Sequence, residues 1–180
     1  MSARDLPPRH TFAVPAVLLG SEAVAAGIVT PYLLRSKYVA IHPGVYVPRS
    51  TALTAADRAK AAFLWSRRRG VVTGRSAAAL HGAKWVDPHA PAELIYGNRH
   101  RPAGIITYAD RIADDEVTVR GDIRVSTPAR AALDMACRGR SDAVAAIDAL
   151  ANATHLRISD VELLVQRYPG RRGIKRARGV

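Results

Sequence analysis

The chain has one cysteine, few acids and no long apolar run, and each shortage excludes something. With Cys137 alone, no disulfide can close within the chain and no thiolate zinc site can be assembled. His42, His81, His89, His100 and His155 do not fall at metal-ligand spacing either. No apolar run approaches the ~18 residues that span a bilayer, so no membrane partner is expected and the expected location is the cytoplasm. Only 15 Asp and Glu stand against 27 Lys and Arg, which leaves a net charge of +12 and a pI near 10.8. That balance is the electrostatic footprint of a polyanion binder. By itself it does not separate DNA from RNA or from an anionic membrane surface. Just four of the 27 cations are lysine. Arg suits bidentate contact with phosphate and guanine, although a GC-rich genome also raises Arg and Ala.

The usual signatures of catalysis are missing as well. Gly74-Arg75-Ser76 lacks the glycine spacing and the lysine of a phosphate-binding loop, and no serine sits in a nucleophile elbow. Metal-dependent nucleases of the restriction type place an acid two positions before a lysine. Here Arg35, Arg58, Gly82 and Gly173 precede Lys37, Lys60, Lys84 and Lys175 at that distance. Asp110 with Asp114, Asp115 and Glu116 could be imagined as a hard-cation site, but acids in a loop before a strand are more often caps and solvated positions. The expectation is a protein without catalysis, metal or cofactor.

What is present begins at Ser21. Ser21 is placed to cap a helix over Glu22 to Ala26, Gly27 to stop it, and Thr30-Pro31 to open a second helix as N-cap and first-turn proline. Leu33 and Leu34 would pack on Val24 and Ala25, leaving Tyr32, Arg35 and Ser36 outward with Lys37 just beyond. Tyr38 to Ile41, His42-Pro43-Gly44-Val45 and Tyr46 to Pro48 then read as a hairpin about a type II turn. A short helix pair followed by a hairpin is the pattern of a winged helix-turn-helix. A competing reading takes Arg4, Arg9 and His10 as the basic start of a signal peptide, Phe12 to Leu19 as its apolar segment and Val24 to Ala26 as its cleavage site. Pro15 and Glu22 interrupt that pattern.

Residues 1 to about 10 read as a polar lead-in around Pro7-Pro8, and Arg49 to Thr51 as a linker. Thr54 should cap an amphipathic helix carrying Ala56, Ala59, Phe63 and Ser66 beside Ala55, Ala62 and Trp65, ending near Arg67 to Gly70. Val71 to Thr73 is a short apolar segment, with Ser76 then capping Ala77 to His81. Glu93 to Tyr96, Gly104 to Tyr108, Glu116 to Val119 and Ile123 to Val125 read as strands of a mixed or antiparallel sheet. Thr127-Pro128 repeats the cap-plus-proline start, with Ala129, Ala132, Leu133, Ala136 and Cys137 as its apolar stripe. A helix from Asp142 should bury Val144, Ile147 and Ala151. Ser159 to Glu162 reads as a capping box before Leu163 to Tyr168. Gly170 to Val180 is basic and expected to fray.

Basic residues fall in separate groups: Arg35 with Lys37, Arg67-Arg68-Arg69 with Arg75, Arg99-His100-Arg101, and Arg171-Arg172 with Lys175, Arg176 and Arg178. Each group alone reads as a solvated face, and Arg67 to Arg69 equally as cations at a helix C-terminus. Together they suggest a surface that tracks phosphates.

The run Ser21 to Val47 with Ile41-His42-Pro43-Gly44-Val45-Tyr46-Val47, then Ser76-Ala77-Ala78-Ala79-Leu80-His81-Gly82, then Ser126-Thr127-Pro128-Ala129-Arg130-Ala131, resembles the AbiEi family of antitoxin-like regulators over roughly residues 10 to 138. The resemblance implies a winged-helix DNA-binding domain joined to an α/β antitoxin-type domain. It also implies repression of the protein's own operon and a partner toxin related to nucleotidyltransferases. By position it assigns Thr30, Tyr32, Arg35, Ser36 and Lys37 to the recognition helix and His42, Pro43 and Gly44 to the wing. Longer relatives with this front half continue into a Vsr-like endonuclease domain, and Tyr168 to Gly173 resembles the approach to it.

The expected architecture is therefore α+β: a winged unit over residues 1–50, a mixed α/β antitoxin-type domain over 51–168 and a basic flexible tail over 169–180. The expected function is sequence-specific binding to duplex DNA upstream of its own gene, as an autorepressor in a toxin-antitoxin operon. The candidate contacts are Thr30, Tyr32, Arg35, Ser36, Lys37, His42, Pro43, Gly44, Arg67, Arg68 and Arg69. The alternative is the DNA-recognition portion of a Vsr-like endonuclease that lacks its catalytic domain.

Overall fold

The computed structural model describes residues 16–139 and 141–179. The Pro7-Pro8 lead-in and the alternative leader built on Arg4, Arg9, His10 and Phe12 lie outside the described residues. The described residues form a mixed α+β fold with eight α-helices and two sheets. No helix among them is long and apolar enough to cross a membrane.

The smaller sheet is antiparallel in the order β1-β3-β2, from β1 (Leu18–Leu19), β2 (Tyr38–His42) and β3 (Val45–Pro48). Helices α1 (Gly20–Ala25) and α2 (Pro31–Lys37) fill the connection from β1 to β2. As expected, Gly27 ends α1 at φ 68° and Gly44 takes the left-handed position of the hairpin turn at φ 78°. Thr30 also caps α2 as expected, its Oγ1 accepting from the Leu33 amide at 3.1 Å with Pro31 in the first turn. Ser21 does not cap α1, which already starts at Gly20. The strands decide that start. The Gly20 amide donates to the Gly44 carbonyl at 3.0 Å, and a Cβ on Gly20 would stand 2.6 Å from Cε2 of Tyr46.

Helix α3 (Ala55–Trp65) opens with a reciprocal capping box between Thr54 and Asp57. It serves both sheets. Ala61 and Leu64 pack with Val17, Leu19, Val45 and Val47, whereas Ala59, Ala62 and Phe63 belong to the main core. Trp65 touches both clusters and stands edge-on to Tyr96, with centroids 5.9 Å apart.

The larger sheet is mixed, in the order β6-β5-β4-β8-β7, from β4 (Val71–Val72), β5 (Ala92–Ile95), β6 (Ile105–Tyr108), β7 (Val117–Arg120) and β8 (Ile123–Ser126). β4 pairs antiparallel with β5 and parallel with β8. Val72, Leu94, Ile105 and Val125 from this sheet meet Phe63 of α3, Ala77 and Ala78 of α4 (Gly74–Leu80), Ala132 and Met135 of α5 (Pro128–Arg138) and Leu150 of α6 (Ala143–Thr154). Leu133 and Cys137 on α5 pack with Leu164 of α7 (Ile158–Arg167) and Ile174 of α8 (Ile174–Ala177). Cys137 is thus a core residue, as its stripe implied.

Four local expectations need correction. Ser76 lies inside α4, whose N-cap is Thr73, because its hydroxyl is taken by the Glu93 amide of the neighbouring strand at 2.9 Å. Val144 is exposed, and Ala143 and Leu150 are the buried positions of α6. Ser159 is not an N-cap, since α7 begins at Ile158 behind Arg157. The tail is not frayed over residues 171–177. Gly173 sits at φ 85° with space for no side chain, a Cβ there falling 2.1 Å from the Cys137 carbonyl oxygen. Ile174 is buried beside it, and Arg176 donates to the same carbonyl at 3.3 Å.

Candidate nucleic-acid interface

α2 has no fully buried residue. Leu34 is its inward position, packed with Val24 and the cluster of Leu18, Ala23, Val29 and Tyr38. Leu33 and Ala25, expected inside with it, are exposed. Side chains advance by ~100° per residue around a helix, so with Leu34 inward, Tyr32 and Ser36 point directly away, Arg35 lies on one flank, and Leu33 and Lys37 on the other. Tyr32 is 71% exposed. Thr30 serves as the cap. The Ser36 hydroxyl approaches the Leu33 carbonyl at 3.5 Å. Arg49, read from sequence as linker, lies at the C-terminal end of α2: its amide donates to the Lys37 carbonyl at 3.0 Å and its guanidinium reaches the Arg35 carbonyl at 3.4 Å. A cation there complements the helix dipole and joins Arg35 and Lys37 in one basic group. No Asp or Glu lies between Glu22 and Asp57, so this segment carries only positive charge.

In the hairpin, Pro43 and Gly44 are exposed but His42 is buried. The expectation that His42 lies at an exposed wing tip is therefore overturned. A β-bulge between Ala40 and His42 shifts the register, pairing His42 with Val45. Strict alternation would have kept His42 on the side of Tyr38 and Ala40, whereas the extra residue turns it to the side of Val45. Its pKa is held below the usual histidine range by burial, with Arg58 adding to the effect.

The three arginines after α3 have three different surroundings. Arg67 is exposed and lies beside the hairpin turn, its Nη2 being 3.9 Å from where a Cβ on Gly44 would stand. Arg68 is committed to Glu22 of α1, whose carboxyl is held below the usual carboxylate range by that hydrogen bond. Arg69 stacks over the Tyr96 ring at 5.7 Å. Of this group, Arg67 is the one placed to extend the surface of α2 and the hairpin. The loop carrying Arg99, His100 and Arg101 is exposed next to the same hairpin: a Cβ on Gly104 would meet His42 Cε1 at 3.6 Å. Asn98 braces this loop by accepting from the His100 amide at 2.8 Å and, through its carbonyl, from Thr107 at 2.9 Å.

The largest arrangement missed from sequence is a buried ionic network on the second face of α5. Arg130 donates to Asp134 at 2.8 Å, to Glu116, and to the Arg111 carbonyl at 2.9 Å, with Arg130, Glu116 and Asp134 each no more than 1% exposed. Asp134 also receives Thr73 and, at 2.6 Å, Arg171. Burial pushes the Asp134 carboxyl up, but Arg138, Arg171 and Arg130 outweigh it and hold it below the usual range. Arg138 pairs with Glu93 at 2.5 Å and lies over the Tyr108 ring at 3.5 Å. Burial and the Glu93 carboxylate push the Tyr108 phenol up to about 12. Arg167 donates to Asp115 and Glu116, and Arg171 to Asp110. The acids weighed above as a cation site are thus occupied by guanidinium groups, apart from Asp114. The Arg130, Asp134, Arg138 spacing on one helical stripe was readable; its partners Thr73 at the start of α4, Glu93 on β5, the 3-10 turn Asp114–Glu116 and Arg171 after α7 were not.

Compared with models of known families and with curated proteins, the chain matches none.

Proposed function

We propose that this protein is a sequence-specific, non-catalytic binder of duplex DNA, a regulator of the antitoxin type acting in the cytoplasm on the region upstream of its own gene. In this reading β1-α1-α2-β2-β3 is a winged helix-turn-helix. α2 enters the major groove with Tyr32 and Ser36 foremost and Arg35 at its flank, while Lys37, Arg49 and Arg67 lie on phosphates. One observation carries the reading: α2 exposes every side chain but Leu34 and stands beside an exposed Pro43-Gly44 turn flanked by Arg67. A helix that contributes one side chain to the core has another use for the rest of its surface. Support also comes from the absence of acids in the segment and from the net charge of +12. The second sheet and its helices would bind a protein partner, a nucleotidyltransferase-like toxin on the strength of the resemblance alone.

The test is a fluorescence-anisotropy titration of the protein against duplex from its own upstream region and against a scrambled duplex, at several salt concentrations. Preference for the upstream duplex with log affinity falling linearly in log salt, by about 0.9 per phosphate neutralised, is the expected result. Absence of binding to either duplex at low salt overturns the proposal.

A further inference from the structure

We propose that the face formed by the turn after α4 and the outer side of α6 is a two-fold contact between copies of this chain, anchored by Trp85. Trp85 is 95% exposed and sits at φ 65°, a left-handed conformation that bulky residues rarely adopt. The fold therefore holds one of its two tryptophans in solvent, in a strained backbone, with no contact among the described residues that rewards the arrangement. Beside the ring runs a groove of 550 Å³ lined by Gly82, Lys84, Ala145, Asp148, Ala149 and Asn152.

A second copy is the occupant this face fits. A two-fold contact applies one patch to itself, so the patch must hold both halves of every interaction. This one has a projecting aromatic ring next to an open recess, and a cation, Lys84, lining the same groove as an anion, Asp148. Neither charge is engaged in an ion pair among the described residues. Lys84 of one copy can therefore meet Asp148 of the other, twice over, while each ring enters the opposite recess. The charges cancel within the patch, which argues against a polyanion as the occupant, in contrast to the surface of α2. Asp148 also lines the neighbouring apolar cleft between α5 and α7, whose rim carries Ile158 at 78% exposure. Together with the 150–250 Å² that a tryptophan offers, this continuity extends the patch toward the roughly 800 Å² per partner of a stable contact. This inference is independent of the DNA-binding reading.

Sedimentation equilibrium of the full chain from micromolar to several hundred micromolar provides the test. A reversible monomer–dimer equilibrium is expected, and Trp85→Ala should raise its dissociation constant by at least about tenfold while the thermal midpoint at concentrations where both proteins are monomeric stays unchanged. Lys84→Asp and Asp148→Lys should each weaken the dimer, and an equimolar mixture of the two variants should restore it, because each supplies the charge the other lacks. A chain that stays monomeric throughout overturns the proposal. So does a dimer indifferent to Trp85→Ala, or a mixture that associates no better than either variant alone.

Discussion

Arg68 grips Glu22 with both ends of its guanidinium, Nη1 to Oε1 at 2.7 Å and Nη2 to Oε2 at 2.6 Å, and so ties the turn after α3 to α1. Its neighbour Arg67 faces solvent at the hairpin turn. Adjacent in sequence and identical in chemistry, the two should behave differently. Arg67→Ala should lower the salt slope of DNA binding by about one and weaken all sequences alike. Arg68→Ala should leave the slope unchanged and reduce stability by about 0.2–1 kcal/mol, the range of a solvent-screened pair. Paired anisotropy and urea titrations measure both effects, and a lowered slope for Arg68→Ala would return that residue to the binding surface.

On α2, Arg35→Ala and Lys37→Ala should also differ. With Leu34 inward, the proposed docking would bring Arg35 to base edges from the flank of the helix, and its loss should then cost about 1–3 kcal/mol and relax discrimination at one base position. Lys37→Ala should weaken upstream and scrambled duplexes equally. Competition titrations with single-base variants of the upstream duplex distinguish the two. Unchanged discrimination in Arg35→Ala would place sequence reading elsewhere.

Replacing Arg130 by Met removes the one guanidinium shared by Glu116 and Asp134 and leaves two buried carboxylates short of a partner. Leaving a buried charge wholly uncompensated costs about 3–5 kcal/mol, and because Arg171 and Arg138 still face Asp134 and Arg167 still faces Glu116, that range is the upper limit of the loss, measured as a drop in the urea midpoint. The triple variant Arg130→Met, Glu116→Gln, Asp134→Asn should recover part of that loss, since the cost lies mainly in uncompensated charge.

Acid sensitivity should begin near neutrality. Burial is the larger cause holding both His42 and His81 below the histidine value of 6.5, with Arg58 and Arg120 respectively acting the same way. The unfolded chain therefore takes up protons first. Stability from these two groups is fully present above pH 6.5 and declines as pH falls from there through their depressed folded values. His42→Leu should flatten this part of the profile in urea midpoints taken between pH 8 and 5. A profile as steep as that of the parent protein would remove His42 from the account.

Features set by bonds between near neighbours were legible in the chain. Thr30-Pro31, Thr54 and Thr127-Pro128 begin helices because a hydroxyl three residues from an amide can satisfy it wherever the helix lies. Gly27 and Gly44 mark turns because their positive φ values suit glycine, and β5 to β8 were readable as strands, whereas the two-residue central strand β4 read only as a short apolar segment. Serines were less reliable guides. Ser21, Ser76 and Ser159 each precede apolar helical residues, yet a contact from elsewhere moved the start at the first and claimed the hydroxyl at the second, while α7 simply begins earlier at the third.

Tertiary structure alone decided which cations are committed and which are displayed. Arg68 and Glu22 are 46 residues apart, Arg138 and Glu93 are 45 apart, and Arg167 reaches Asp115 across 52. Nothing local distinguishes Arg67 from Arg68, or Arg130 from the arginines of the tail. One inserted residue in β2 was enough to turn His42 from the face of Tyr38 and Ala40 to that of Val45. Charge sign and helix caps are properties of residues and short segments, so composition and spacing carry them. The choice of ion-pair partner depends on distances between elements, and those exist only once the two sheets and α5 are assembled.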